Sequence, residues 1–155
     1  SGPRHFLFHP NGKFAYVIQE FSSTITALAY ADGKMQPLQT ISTLPEGYSG
    51  DSHCSAIRIS ADGRFLYGAN RGHSSIAVFA IDAQTGRLAS VQIESTKGQT
   101  PRDFNIDPSG TFLLAANQDT DTIVTFRIDR ATGRLQDTGL IAGVPTPVCL
   151  QMIEV

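Results

Sequence analysis

His9-Pro10-Asn11-Gly12-Lys13-Phe14-Ala15-Tyr16-Val17 decides the fold, because the chain writes this stretch three times. It returns as Ser60-Ala61-Asp62-Gly63-Arg64-Phe65-Leu66-Tyr67-Gly68, and then as Asp107-Pro108-Ser109-Gly110-Thr111-Phe112-Leu113-Leu114-Ala115. The glycines stand 51 and 47 residues apart. Self-similarity at such a period marks a repeat architecture, in which one unit cannot bury its apolar face without its neighbours. The register continues beyond the turn. Ile25, Ile76 and Ile123 share a column, as do Leu28, Phe79 and Phe126, and then Tyr30, Ile81 and Ile128. Thr85-Gly86-Arg87-Leu88 recurs as Thr132-Gly133-Arg134-Leu135, where the first copy has Asp32-Gly33-Lys34-Met35. Thr146-Pro147-Val148-Cys149-Leu150 matches Thr100-Pro101-Arg102-Asp103-Phe104 and opens a fourth copy.

Each unit reads as four short strands. In the first, strand one runs from about His5 to His9, and Pro10-Asn11-Gly12-Lys13 makes a turn, since Pro fixes φ and Asn-Gly tolerates positive φ. Strand two runs from Phe14 to about Ile18 and strand three from Thr24 to Tyr30, with alternating faces. Strand four follows Gly33. Phe14, Val17, Ile18, Phe21, Ile25 and Leu28 also fit a helical stripe. The other copies break it: Gly68 and Gly72 fall mid-pattern in the second, and Thr120, Thr122, Ile123, Val124 and Thr125 crowd the third with β-branched side chains.

A four-stranded antiparallel unit every ~40–50 residues is the signature of a β-propeller blade. The expected architecture is all-β, with repeats over about 2–52, 53–98 and 99–144 and a closing strand at 146–155. Propellers usually carry about 4–8 blades. Three blades and the first strand of a fourth do not close a ring, so closure calls for self-association or for further N-terminal blades.

Composition narrows the function classes. Of the 155 residues, 41% are hydrophobic and 17% charged, and the formal net charge is -2. That excludes a disordered chain and a basic nucleic-acid arm. No apolar stretch approaches the ~18 residues of a membrane span, and no signal-peptide pattern opens the chain. Cys54 and Cys149 lie far apart without metal or redox spacing and are both expected as small buried residues. Their sparseness fits a reducing cytoplasm. No GxSxG elbow, P-loop or HExxH is present, and neither a metal nor a cofactor is expected.

The chemistry-bearing residues gather at one end of the blades. Strands one and two form a hairpin, so the start of one lies beside the end of the other. Strand one starts with Arg4-His5, Ser55-Ala56 and Arg102-Asp103 in the three copies, and strand two ends with Glu20, Arg71 and Gln118. A merely structural repeat would keep one residue type in that column. His53, His73 and Asp119 stand in the adjoining loops. The opposite end holds plain turn residues such as Asn11-Gly12, Asp62-Gly63 and Ser109-Gly110. Three arginines can hold carboxylate or phosphate in forked geometry, while Glu20, His5 and His73 can move protons. The bland alternative is that these charges are solvated or pair among themselves. His9 replaces Ser60 and Asp107 at a turn entry and reads as structural.

Gly2-Pro3-Arg4-His5, His9-Pro10-Asn11-Gly12-Lys13, Asn70-Arg71-Gly72-His73, Thr100-Pro101-Arg102-Asp103-Phe104 and Ala116-Asn117-Gln118-Asp119 together resemble the seven-bladed propeller lactonases. That family includes bacterial 6-phosphogluconolactonases and fungal carboxymuconate cyclases. The resemblance covers essentially the whole chain. It implies a catalytic cluster of Arg4, Glu20 and Arg71, with His5 beside it. It also implies cleft-lining roles for Arg102 and Gln118, to which the blade-end position adds His73 and Asp103 as substrate-binding candidates. Ile18-Gln19-Glu20-Phe21 departs mildly from the family, whose members commonly show Asn before this Glu. The function implied is hydrolysis of a small anionic sugar lactone. The alternatives are a carboxymuconate cyclase-like reaction on a carboxylate substrate and a non-catalytic propeller scaffold. Nucleic acid and membrane are not expected as partners.

Overall fold

The strands begin and end where turn chemistry dictates. Each first turn is closed by the N–H of its glycine returning to the carbonyl three residues earlier: Gly12 to His9 at 2.9 Å, Gly63 to Ser60 at 2.8 Å and Gly110 to Asp107 at 2.8 Å. The apolar, β-branched run after each turn then pairs back on the strand before it. A computed structural model describes residues 1–153. It contains twelve strands: β1 Pro3–Phe8, β2 Phe14–Gln19, β3 Thr24–Ala31 and β4 Lys34–Ser42; β5 Cys54–Ile59, β6 Phe65–Asn70, β7 Ser75–Ile81 and β8 Leu88–Ser95; β9 Pro101–Ile106, β10 Phe112–Asn117, β11 Thr122–Ile128 and β12 Leu135–Gly143. They form three four-stranded sheets, β1 to β4, β5 to β8 and β9 to β12, each in chain order and antiparallel throughout. These are propeller blades, with β1, β5 and β9 side by side at the inner edge. The outer pair of each blade slips register at the same column, after Ala27, Val78 and Thr125. A bulge there increases local twist, so the twist of the blade repeats with the sequence.

The core lies between the blades. Phe14, Tyr16, Ile18, Ile25 and Ala27 of the first blade pack on Ile57, Leu66, Ala77, Phe79 and Ile81 of the second. Phe65, Tyr67, Ala69, Ile76 and Val78 on the other face of the second blade pack on Phe104, Leu113, Val124, Phe126 and Ile128 of the third. Polar staples cross the same interfaces. The Tyr16 hydroxyl donates to the Gly86 carbonyl (3.1 Å) and Tyr67 to Gly133 (3.0 Å). Gln39 both donates to and accepts from the Leu88 backbone, and Gln92 does the same with Leu135. Asn70, fully buried, bonds Thr43 at the end of the first blade's outer strand.

Three expectations need correction. The first strand ends at Phe8, not His9, because the His9 ring turns into the next blade and reaches the Gly63 carbonyl at 2.9 Å. The closing strand expected at 146–155 has no ladder over residues 146–153. A strand exists only when paired, and no strand of the described residues pairs with it; Leu150 is instead held by the side chains of Asp103 and Asn105. The end of that segment, Glu154 and Val155, lies outside the described residues. Cys54 is buried as expected, but Cys149 is exposed because it sits in this unpaired segment.

Candidate active site

Hairpin geometry brings the start of β1 to the end of β2. Glu20 follows β2 directly, its N–H donating to the Gly2 carbonyl (2.7 Å) and its own carbonyl accepting from Cys54 at the start of β5 (3.0 Å). Glu20 is therefore fixed between the first and second blades. Arg71 occupies the same position one blade on, and its N–H donates to the His53 carbonyl (2.9 Å). Gly72 lets this loop lie flat: a Cβ there would stand 2.0 Å from the Asp51 carbonyl oxygen.

The two positions converge. Arg71 Nη2 donates to Glu20 Oε1 in a tight ion pair, while Arg4 Nε lies 3.7 Å from Glu20 Oε2. One carboxylate thus bridges guanidinium groups from two blades. Arg4 also donates through Nη1 to the Ser55 carbonyl and to His5 Nε2, the latter at 3.1 Å. Arg4, Ser55 and Arg102 share one column of adjacent inner strands. The small Ser55 stands between the two arginines in that column, its hydroxyl donating across to the Pro101 carbonyl of the third blade at 2.6 Å.

The electrostatics follow from this packing. The hydrogen bond from Arg71, reinforced by the charges of Arg71 and Arg4, holds the Glu20 carboxyl below its usual range despite partial burial. Burial, then Arg102 and Arg71, lowers the Arg4 pKa. Desolvation on its protein-facing side, then the Arg4 and Arg58 cations, lowers His5. With Arg4 donating to Nε2, His5 is a neutral imidazole carrying its proton on Nδ1. Arg71 Nε is buried and has no hydrogen-bond partner among the described residues. Arg4, Arg71 and Arg102 against the one carboxylate of Glu20 leave this end of the blades positive, suited to an anion.

The other candidates sit further out. Asp103 is buried and fully engaged: Oδ1 accepts from Arg58 at 3.0 Å and Oδ2 from the Leu150 N–H at 2.9 Å. His73 Nδ1 pairs with Ser75 Oγ at 2.8 Å, with its ring edge-on to Tyr48. Gln118 opens a 3-10 turn, Gln118–Thr120, and its N–H donates to the Thr100 carbonyl at 3.0 Å. No hydrogen bond joins His73 or Gln118 to Glu20 among the described residues. Arg58 was missed by the sequence reading. It lies inside β5 rather than at a blade end, where it bonds Asp103 and Asn105 and stands over Phe104. Its signal was a charged residue in the column of Leu7 and Asn105.

Four-stranded antiparallel blades packed face to face around shared inner strands define a β-propeller. The chain belongs to the seven-bladed β-propeller lactonase family, whose model matches residues 1–152. It is 47% identical over 111 residues to the 6-phosphogluconolactonase of Bacillus subtilis, covering 70% of this chain and 32% of that protein. The periplasmic gluconolactonase of Pseudomonas aeruginosa superposes with a TM-score of 0.94 at 37% identity, over 97% of this chain and 42% of the other. A Lactobacillus plantarum protein gives 0.91 at 39% identity, over 95% and 43%. The chain thus spans about a third of the Bacillus relative and under half of these solved structures. No helix among the described residues is long and apolar enough to cross a membrane.

Proposed function

We propose that the protein to which this chain contributes is a lactone hydrolase of the 6-phosphogluconolactonase type, acting on a small anionic sugar lactone. One observation carries the reading: Glu20 bridges Arg4 and Arg71 across two blades, with Arg102 in the adjacent column. Arg71, whose buried Nε lacks a partner among the described residues, and Arg102 receive the anionic group. Arg4 polarises the lactone carbonyl, where oxyanion charge develops. A water molecule adds to that carbon, and its proton passes to the neutral His5, which Arg4 holds beside the Glu20 clamp. The ring C–O bond then breaks, and the proton goes to the departing ring oxygen, giving the hydroxy acid. Family membership and the named Bacillus relative support this reaction class.

The test is hydrolysis of 6-phosphogluconolactone by the protein bearing all its blades. Glu20→Ala is expected to lower turnover at least ~100-fold, the scale of a lost oxyanion donor, because it frees Arg4 and Arg71 from their fixed positions. Unchanged turnover would overturn the role of Glu20. A substrate screen separates lactone hydrolysis from a cyclase-like reaction on carboxymuconate, because only the first releases 6-phosphogluconate. We assign the protein to a reducing compartment on its two unpaired cysteines; fractionation tests this, since the Pseudomonas relative is periplasmic.

A further inference from the structure

At the end of the blades opposite Glu20, the two inter-blade seams are closed differently. Between the first and second blades the His9 ring fills the seam. Its Nδ1 accepts from the Asn11 N–H at 3.1 Å, so the proton on Nε2 is donated to the Gly63 carbonyl at 2.9 Å. The ring stands edge-on to Phe14, with centroids 6.1 Å apart, and is buried. One blade further on, the repeat puts Ser60 in the column of His9 and Gly110 in that of Gly63. Ser60 does not fill the same space, because its hydroxyl folds back to Asp62 Oδ1 at 2.6 Å and to the Phe65 N–H at 3.0 Å. A Cβ on Gly63 would meet His9 at 2.7 Å, whereas one on Gly110 meets nothing within 4 Å. The Gly110 carbonyl oxygen has no donor among the described residues.

What remains is a half-open pocket of about 170 Å³ whose apolar walls are Phe65, Tyr67, Ile106 and Ile128, with Ser60, Gly110 and the charged Asp62 and Arg130 also in its lining. That is close to the ~150 Å³ apolar cavity that takes up one benzene. We propose that this seam is a binding site for a small neutral aromatic N–H heterocycle of imidazole size, a site separate from the Glu20 cluster. The occupant takes the place His9 holds in the neighbouring seam. Its N–H donates to the Gly110 carbonyl, its ring meets the edge or face of Phe65, and its carbons lie on Ile106 and Ile128. The neutral form matches the apolar walls of Phe65, Ile106 and Ile128, and the Asp62 carboxylate in the lining is already engaged by Ser60 and Arg64.

The probe is imidazole itself, titrated into 15N-labelled protein at a pH where imidazole is neutral. Saturable shifts centred on Gly110 and Phe65 are expected, and Ser60→His, which supplies the missing ring covalently, is expected to abolish them and raise Tm. His9→Ser opens the equivalent seam, so imidazole is expected to raise its Tm more than that of the unaltered protein. The proposal is overturned by the absence of saturable shifts at Gly110, or by an identical titration in Ser60→His. If Ser60→His fails to fold, the Tm response of His9→Ser decides alone, and an equal response in the two proteins overturns the site.

Discussion

A carboxylate held between two guanidinium groups is a firm clamp and a weak base. Glu20 is lowered chiefly by its hydrogen bond from Arg71, so it stays ionised well into the acid range. Its contribution to stability is present above its unfolded pKa and is lost as pH falls through the lower folded value. The acid limb of kcat/KM therefore belongs to His5, whose pKa is lowered by desolvation and by Arg4. Neutral His5 persists below its ordinary value of about 6.5, and activity is expected to fall only below that pH. In Asp103→Asn the carboxylate that raises His5 is gone, and the remaining cations depress it further, so activity should show an acid limb moved to lower pH. A limb that moves up, or one unchanged from the parent's, refutes this division of roles. Arg4, Glu20 and Arg71 were legible in the sequence because they break a repeating column at a blade end. Arg58 was not, since a cation within a strand is normally a solvated face, and only the neighbouring blade shows it bound to Asp103.

At the level of the strand and turn, the seams are the elements that matter. Gly133 lies in the turn before β12 with φ 73°, and a Cβ there would meet the Phe65 ring at 2.4 Å. Gly110 has nearly the same φ, 69°, but open space around it. Gly133→Ala therefore adds overpacking of a core aromatic to the backbone strain, whereas Gly110→Ala incurs the strain alone. Chemical denaturation should show Gly133→Ala less stable than Gly110→Ala by about 1–3 kcal/mol, the usual range for overpacking. Equal losses would mean that Phe65 moves aside freely. Strand number, order and turns could be read from the repeat, because Phe14, Phe65 and Phe112 restart the same pattern three times. The end of the first strand could not, because His9 is drawn off by a carbonyl 54 residues away. The fate of the segment after Pro145 could not either, because pairing depends on a partner rather than on its own residues.

For the whole molecule, two blade faces are built like the buried ones and are left uncovered. Phe6, Phe8 and Tyr30 of the first blade stand in the columns of Ile57, Ile59 and Ile81, which in the second blade pack beneath the first. Phe6 and Phe8 are 44% and 46% exposed, and the Phe8 ring stands edge-on to both Phe6 and Tyr30. On the open face of the third blade, Leu140, paired opposite Thr125, is more than half exposed. Contiguous apolar surface of this kind marks an interaction face, and the repeat specifies its occupant as another blade with a Phe14–Tyr16–Ile18 face. The 155-residue chain expressed alone is thus expected to associate, with a sedimentation coefficient that rises with concentration. Phe8→Lys combined with Leu140→Lys places a charge on each open face and should return it to a monomer while leaving the Glu20–Arg71 seam folded, read by an unchanged far-UV spectrum. A chain that is monomeric at every concentration, or one whose association survives both lysines, would show that these faces do not seek a blade. The Glu20 bridge spans only the first two blades, so its geometry does not depend on that closure. Binding of the proposed substrate does, because the inner strands β1, β5 and β9 form one wall, and enclosure of a ligand along the axis requires the wall facing it.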